Sequence, residues 1–202
     1  MLIEHDTTKP LGDYMFFKRK SQLHHMGTVD IETRRFILRK FDMNDAYDVY
    51  NNWTSHNESA KYNAWKVHES VSVTKEYLEM WIKSYEKMDN YHWAIVDKET
   101  KEVIGSISVS NIKNKQKYCE IGYTVATKCW NQGIATEVLI EILKFLTEEI
   151  GFMCIHALHD VRNKASGRVM EKAGMKYLKD ARHFILNSSN LIMNCSVYEY
   201  KA

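Results

Sequence analysis

Between Tyr118 and Thr127 the chain alternates. Cys119, Ile121, Tyr123 and Val125 are separated by Tyr118, Glu120, Gly122 and Thr124. A period of two puts one set on each face of a β-strand. Strand-like runs also occupy 91–97 and 102–110, and 31–41 (Arg34-Arg-Phe-Ile-Leu-Arg-Lys-Phe41) predicts a single strand. From Gly133 to Ile150 the spacing changes: Ile134/Ala135, Val138/Leu139, Ile142/Leu143, Leu146 and Ile150 recur every three to four residues. That is the period of an amphipathic helix. Helical spacing also covers 44–53 and 73–87, the latter with Tyr77, Met80, Trp81 and Tyr85 on one stripe. A further helix is predicted over 163–173, with Asn163 placed to cap its start and Gly174 to stop it. Strands are expected at 152–158, 176–181 and 191–200, the last two divided by a polar loop around Asn187–Asn190. The order β-α-α-β-β-β-α-β-α-β-β predicts an α/β (mixed α+β) fold, its mixed sheet flanked by helices on both faces.

The 202 residues suit one domain and can bury a sizeable core without disulfides or metals. Residues 1–27 are polar and aperiodic and read as an N-terminal extension, leaving 28–202 as the folded domain. The start holds Glu4, Asp6 and Asp13 and no continuous apolar stretch, so it is not read as a secretory signal. No run of about 18 apolar residues suggests a membrane span. Lys and Arg total 28 against 26 for Asp and Glu, a balance that argues against a dedicated nucleic-acid binder but leaves room for a basic phosphate pocket. Cys119, Cys129, Cys154 and Cys195 form no CxxC pair and read as reduced thiols of a cytoplasmic protein. His156 and His159 lack an evident third ligand and read as structural or surface residues. No metal is expected.

The chemistry concentrates in 120–137. A strand ends, a short turn carrying Gly133 follows, and the long helix begins at once. Free backbone N–H groups at a positive helix end suit a phosphate or pyrophosphate. Gly133 and Ala135 permit close approach, and Gln132 and Thr136 add donors. Neither GxGxxG nor GxxxxGK[ST] is present, so an ordinary NAD or ATP site is not expected.

Trp130-Asn-Gln-Gly-Ile-Ala-Thr-Glu137 resembles the acetyl-CoA pyrophosphate loop of the GCN5-related N-acetyltransferases (GNAT superfamily). The similarity is greatest to the ribosomal-protein N-terminal acetyltransferase branch. Asn163-Lys-Ala-Ser-Gly-Arg-Val-Met-Glu-Lys-Ala-Gly-Met175 is similar to that branch's N-x-x-S…E-K-x-G-F segment, and Ile31-Glu-Thr-Arg-Arg-Phe-Ile-Leu-Arg39 to its opening strand. The three segments occur in family order, and the resemblance spans about 29–200. Asn131 replaces a usual Gly, Met175 replaces Phe, and Met170 stands where many relatives carry an acid-donating Tyr.

The resemblance implies direct transfer of acetyl from acetyl-CoA, the co-substrate, to a primary amine. It places the pyrophosphate on Trp130, Asn131, Gln132, Gly133, Ile134, Ala135 and Thr136, and the pantetheine on the backbone of Tyr123, Thr124 and Val125 and on Asn163. Glu120 then stands as general base and Ser166 as proton donor to the leaving thiolate. Lys128, Lys164 and Arg168 lie near the expected phosphates but read as solvated charges. Tyr62 and Trp65, in the polar segment 54–69, are candidates for the acceptor site. The expected acceptor is a protein N-terminal α-amine of the ribosomal-protein alanine or serine type. Freeing its lone pair at pH 7 costs about 1.2 kcal/mol, against about 4.6 for lysine, and a single carboxylate suits the smaller demand. The alternatives are a small-molecule amine (polyamine, amino acid or antibiotic) and a non-catalytic acyl-CoA-binding module. Many members of the family form homodimers; no interface is marked in this chain.

Overall fold

The computed structural model describes residues 22–62, 65–185 and 191–202, with backbone only for 183–185 and 191–192. Within them, eight strands form one sheet: β1 (Ile31–Glu32), β2 (Phe36–Arg39), β3 (His92–Asp97), β4 (Val103–Lys113), β5 (Tyr118–Val125), β6 (Cys154–Asp160), β7 (Lys176–Ile185) and β8 (Leu191–Lys201). Their spatial order is β1-β2-β3-β4-β5-β6-β8-β7. Every neighbouring pair is antiparallel except β5–β6, which is parallel.

Helices α1 (Ala46–Val49), α2 (Asn57–Ala60) and α3 (Val71–Ser84) precede β3, while α4 (Ile134–Lys144) and α5 (Lys164–Lys172) are the crossovers around β6. Alternation along β3 shows why both sheet faces are covered. Trp93 and Ile95 join the main core with Val138, Leu139, Ile142 and Leu143 of α4, and Ala94 and Val96 join a smaller core with Val49, Trp53 and Leu78. On β5 only one face is apolar: Cys119, Ile121 and Val125 are buried, and the other carries Tyr118, Glu120, Gly122 and Thr124. Leu23, Met26 and Val29 also pack against the main core, and His24 N–H bonds Ile150 O at 2.9 Å.

Several boundaries differ from the sequence expectation. The single strand at 31–41 is a hairpin, because Thr33 N–H bonds Phe36 O and the Thr33 hydroxyl accepts Phe36 N–H, folding the chain back at 33–35. The helix at 44–53 is a 3-10 turn (Met43–Asp45) capped by Asp42, then α1, then a π-helical turn over Tyr50–Thr54. The buried side of α3 is Thr74 and Leu78; Tyr77 and Met80 of the expected stripe face outward. The long helix changes at Phe145 into a π-helical turn ending at Gly151, whose φ is 96°. The strand expected at 152–158 begins at Cys154. The loop at Asn187–Asn190 lies outside the described residues.

The parallel pairing of β5 and β6 positions the site. Its last rung is Ile121↔Ala157, although β5 runs on to Val125 and β6 to Asp160. The two central strands part there and leave a wedge in the middle of the sheet.

Candidate active site

The wedge is lined by backbone. Ala126 N–H bonds Ile104 O at 2.8 Å, and an antiparallel ladder alternates direction. Thr124 therefore also points to β4, and the N–H and C=O groups of Tyr123 and Val125 turn toward the wedge. There the Val125 carbonyl accepts the Trp130 indole N–H at 2.8 Å.

At the end of β5 the chain passes through a 3-10 turn (Thr127–Cys129) into a loop where Asn131 and Gly133 have φ of 61° and 74°. Two left-handed residues two positions apart coil the backbone just before α4. Gly tolerates that conformation, and Asn does so better than most residues. The N-terminus of α4 then directs its first N–H groups at whatever occupies the loop. A clamp holds the loop. Glu137, in the first turn of α4, accepts from the Thr33 hydroxyl (2.7 Å), Arg35 N–H (2.9 Å) and Arg35 Nε (2.7 Å), and Arg35 Nη2 reaches Gln132 O (3.1 Å). Desolvation raises the Glu137 pKa, but these bonds outweigh it and hold the carboxyl below its usual range.

A cavity of about 540 Å³ occupies the wedge and loop. Tyr123–Val125, Trp130–Thr136, Asn163 and Ser166 all line it. Asn163 caps α5, its side chain accepting Ser166 N–H at 3.3 Å. The Ser166 hydroxyl lies 2.9 Å from the Tyr123 hydroxyl, which also donates to Ser166 O at 3.1 Å. Burial pushes the Tyr123 pKa up and the Ser166 bond only partly offsets it, so the phenol keeps its proton. The family resemblance implies only a backbone part for Tyr123; the side-chain pairing depends on how α5 crosses β5, which residue spacing does not show.

Glu120 does not line the cavity. It stands two residues before Gly122 on the polar face of β5, its Oε1 accepting from Asn111 Nδ2 (2.8 Å) and Tyr118 OH (2.7 Å). Glu58 is the carboxylate that does line the cavity, beside Tyr62. The Arg162 guanidinium lies 5.9 Å from the Tyr62 ring centre, linking the helical segment to the end of β6. Trp65 packs instead against the smaller core. Gly122 has open space where a Cβ would stand, so that face of β5 is uncovered there. Lys128 is paired with Glu102 at 2.5 Å, whereas Arg168 lines the cavity. His159 Nδ1 bonds Asp160 O at 2.7 Å and, among the described residues, its buried Nε2 has no hydrogen-bond partner. A Cβ on Gly167 would lie 2.8 Å from that nitrogen, so the glycine lets α5 approach β6.

Comparison with known proteins agrees with this geometry. The family profile described as an acetyltransferase (GNAT) domain matches residues 35–176. The uncharacterized N-acetyltransferase YoaA of Bacillus subtilis (strain 168) is 28% identical over 146 residues, 72% of this chain and 82% of that protein. A GNAT-family acetyltransferase structure from Bacillus anthracis superposes with a TM-score of 0.72 at 23% identity, covering 86% of this chain and 98% of that one. The ribosomal-protein-S5-alanine acetyltransferase structure from Vibrio fischeri gives 0.73 at 18% identity, with 86% and 96% covered. These last two show the shared fold. That family uses acetyl-CoA as co-substrate and an amine as acceptor. The parted strands, the coiled loop and the matched profile together place this chain in the GNAT family of acetyl-transferring enzymes.

Proposed function

We propose that this protein transfers acetyl from acetyl-CoA to the N-terminal α-amine of a protein, of the ribosomal alanine or serine type, by direct attack of the amine on the thioester. One observation carries the acceptor class. The cavity is walled by an unpaired strand edge, yet Glu58 is the only carboxylate among its described lining residues. The strand edge suits the extended, amide-bearing pantetheine arm, so the acceptor class rests on Glu58. One carboxylate balances one ammonium, whereas a polyamine brings several.

In this reading the N–H groups of Asn131–Thr136 hold the pyrophosphate at the start of α4. The wedge-facing groups of Tyr123 and Val125 take the pantetheine amides and polarise the thioester carbonyl, and Asn163 adds a side-chain contact. Glu58 holds the incoming ammonium. Glu120, one strand repeat before Gly122 on the polar face of β5, takes the proton through water. As the tetrahedral intermediate collapses, the C–S bond breaks and the thiolate takes the Ser166 proton, which Tyr123 replaces across the 2.9 Å contact. The domain division at 27/28 and a cytoplasmic location belong to the same proposal. Among the described residues, no helix is long and apolar enough to cross a membrane.

The test is release of free thiol from acetyl-CoA with a panel of acceptors: peptides beginning with Ala or Ser, N-terminally blocked peptides with an internal Lys, polyamines, amino acids and aminoglycosides. The α-amine peptides are expected to give the highest kcat/KM. A polyamine or aminoglycoside ahead of them would replace this acceptor assignment with a small-molecule one.

A further inference from the structure

A second group of functional side chains lies on the polar face of the sheet, just before the wedge opens. Cys154 and His156 are two apart on β6 and therefore share a face, and Glu199 of β8 stands directly opposite His156 in the register. Cys154 Sγ is 3.3 Å from Glu199 Oε2, His156 Nε2 is 3.4 Å from the same oxygen, and all three donor atoms lie within 4.8 Å of one another. For tetrahedral Zn²⁺, bond lengths of about 2.0–2.3 Å put neighbouring ligand atoms roughly 3.3–3.8 Å apart. Two of the three edges already have that length.

Hydrogen-bond bookkeeping strengthens the point. The Tyr118 hydroxyl donates its proton to Glu120 at 2.7 Å, so toward His156 Nδ1, 3.3 Å away, it can only accept. That contact requires the proton of a neutral His156 to be on Nδ1, leaving Nε2 as a bare lone pair aimed at a carboxylate oxygen. A proton on Nε2, which makes the contact an imidazolium–carboxylate pair, or a metal cation between the two satisfies both acceptors. A histidine ligand whose other ring nitrogen is fixed by a hydrogen-bonded chain, here Tyr118 and then Glu120, is the usual outer shell of a metal site.

We propose that Cys154, His156 and Glu199 form a three-ligand site for a thiophilic divalent cation, Zn²⁺ by its donor set, with water in the fourth position. The His156 and Glu199 side chains are about a fifth exposed (19% and 18%), which leaves a path for that water. Lys201 engages the other Glu199 oxygen at 2.8 Å, so Oε2 binds singly. Zn²⁺ displaces the thiol proton to solvent, and a thiolate plus a carboxylate then neutralise the ion. The bound cation ties β6 to β8 immediately before β6 parts from β5. The expectation of no metal paired His156 with His159, but strand alternation sends those two to different depths and partners: the His159 ring lies 5.6 Å from that of Tyr198, tilted against it.

The test uses the full chain, stripped with chelator and titrated with Co²⁺ as a spectroscopic stand-in for Zn²⁺. One equivalent is expected to give a near-ultraviolet thiolate-to-cobalt band, bleached by added Zn²⁺. The band should vanish in Cys154→Ser and His156→Gln, weaken in Glu199→Gln and persist in Cys129→Ser. Zn²⁺ should raise Tm of the wild type and not of Cys154→Ser. Far-UV circular dichroism establishes folding, and the near-isosteric Cys154→Ser carries the test if His156→Gln does not fold. No band at large Co²⁺ excess, or a band that survives Cys154→Ser, overturns the proposal.

Discussion

Tyr123 and Ser166 share a short hydrogen bond inside the cavity, and the consequence is kinetic. In the proposed mechanism the phenol returns a proton to the serine across that contact once the leaving thiolate has taken the serine's own. Met170, buried in the core, offers no such group. Ser166→Ala is expected to lower kcat by about 10²-fold, the lower range for a lost acid–base group. Tyr123→Phe should lower it by about tenfold, because the serine still donates once. The double variant should be no slower than Ser166→Ala, since the two act as a unit, and the KM for acetyl-CoA should move little. Steady-state thiol release on the four proteins checks this. Additive losses would separate the two residues.

At the scale of elements, what was legible depended on whether a signal was local. The loop at 130–137 carries its own evidence, because a glycine just ahead of a strong apolar helical stripe marks a coiled turn into a helix wherever it occurs. Asn163 likewise caps α5 from a local rule. The hairpin at 33–35 was not legible: Thr33 and Phe36 close the turn, but Glu137, about a hundred residues away, holds Thr33 and Arg35 in it. Glu58 gave no local pattern either, since only the packing of the helical segment over β5 brings it to the cavity. The Glu137 clamp yields an element-level prediction. Glu137→Ala removes three hydrogen bonds and leaves Arg35 without its carboxylate. Loss of a partly buried charge-assisted network costs about 2–3 kcal/mol, and the loop loses its tie through Gln132. Unfolding by denaturant should show that loss, and calorimetry should show acetyl-CoA bound about tenfold more weakly. An unchanged affinity would mean that α4 alone sets the loop.

At the scale of the whole molecule, the sheet is pinned between two cores, and β3 belongs to both. His92 opens that strand with its ring 5.0 Å from Phe41 and 4.6 Å from Trp81, edge-on to each. Burial there pushes its pKa from the ordinary 6.5 down to about 4. His68, stacked on Tyr77 and bonded to Thr74, is lowered for the same reason. A histidine that resists protonation only when folded makes the unfolded chain the better proton binder below pH 6.5. Stability should therefore fall as pH drops from about 6.5 toward 4, by at most about 3 kcal/mol for His92. Carboxylates act in the next window. Asp160, held low by Arg162 despite desolvation, and Glu137, held low by Arg35 and Thr33, contribute stability above the ordinary carboxylate range and lose it below. The two effects share a sign but not a pH range, so they separate experimentally. His92→Phe keeps the contacts with Phe41 and Trp81 and removes the titration. Its Tm should decline less steeply than the wild type between pH 6.5 and 4.5, with the remaining slope from His68, and then fall in parallel as the carboxylates protonate. Equal slopes across the upper window would place the acid sensitivity elsewhere than at the junction of the two cores.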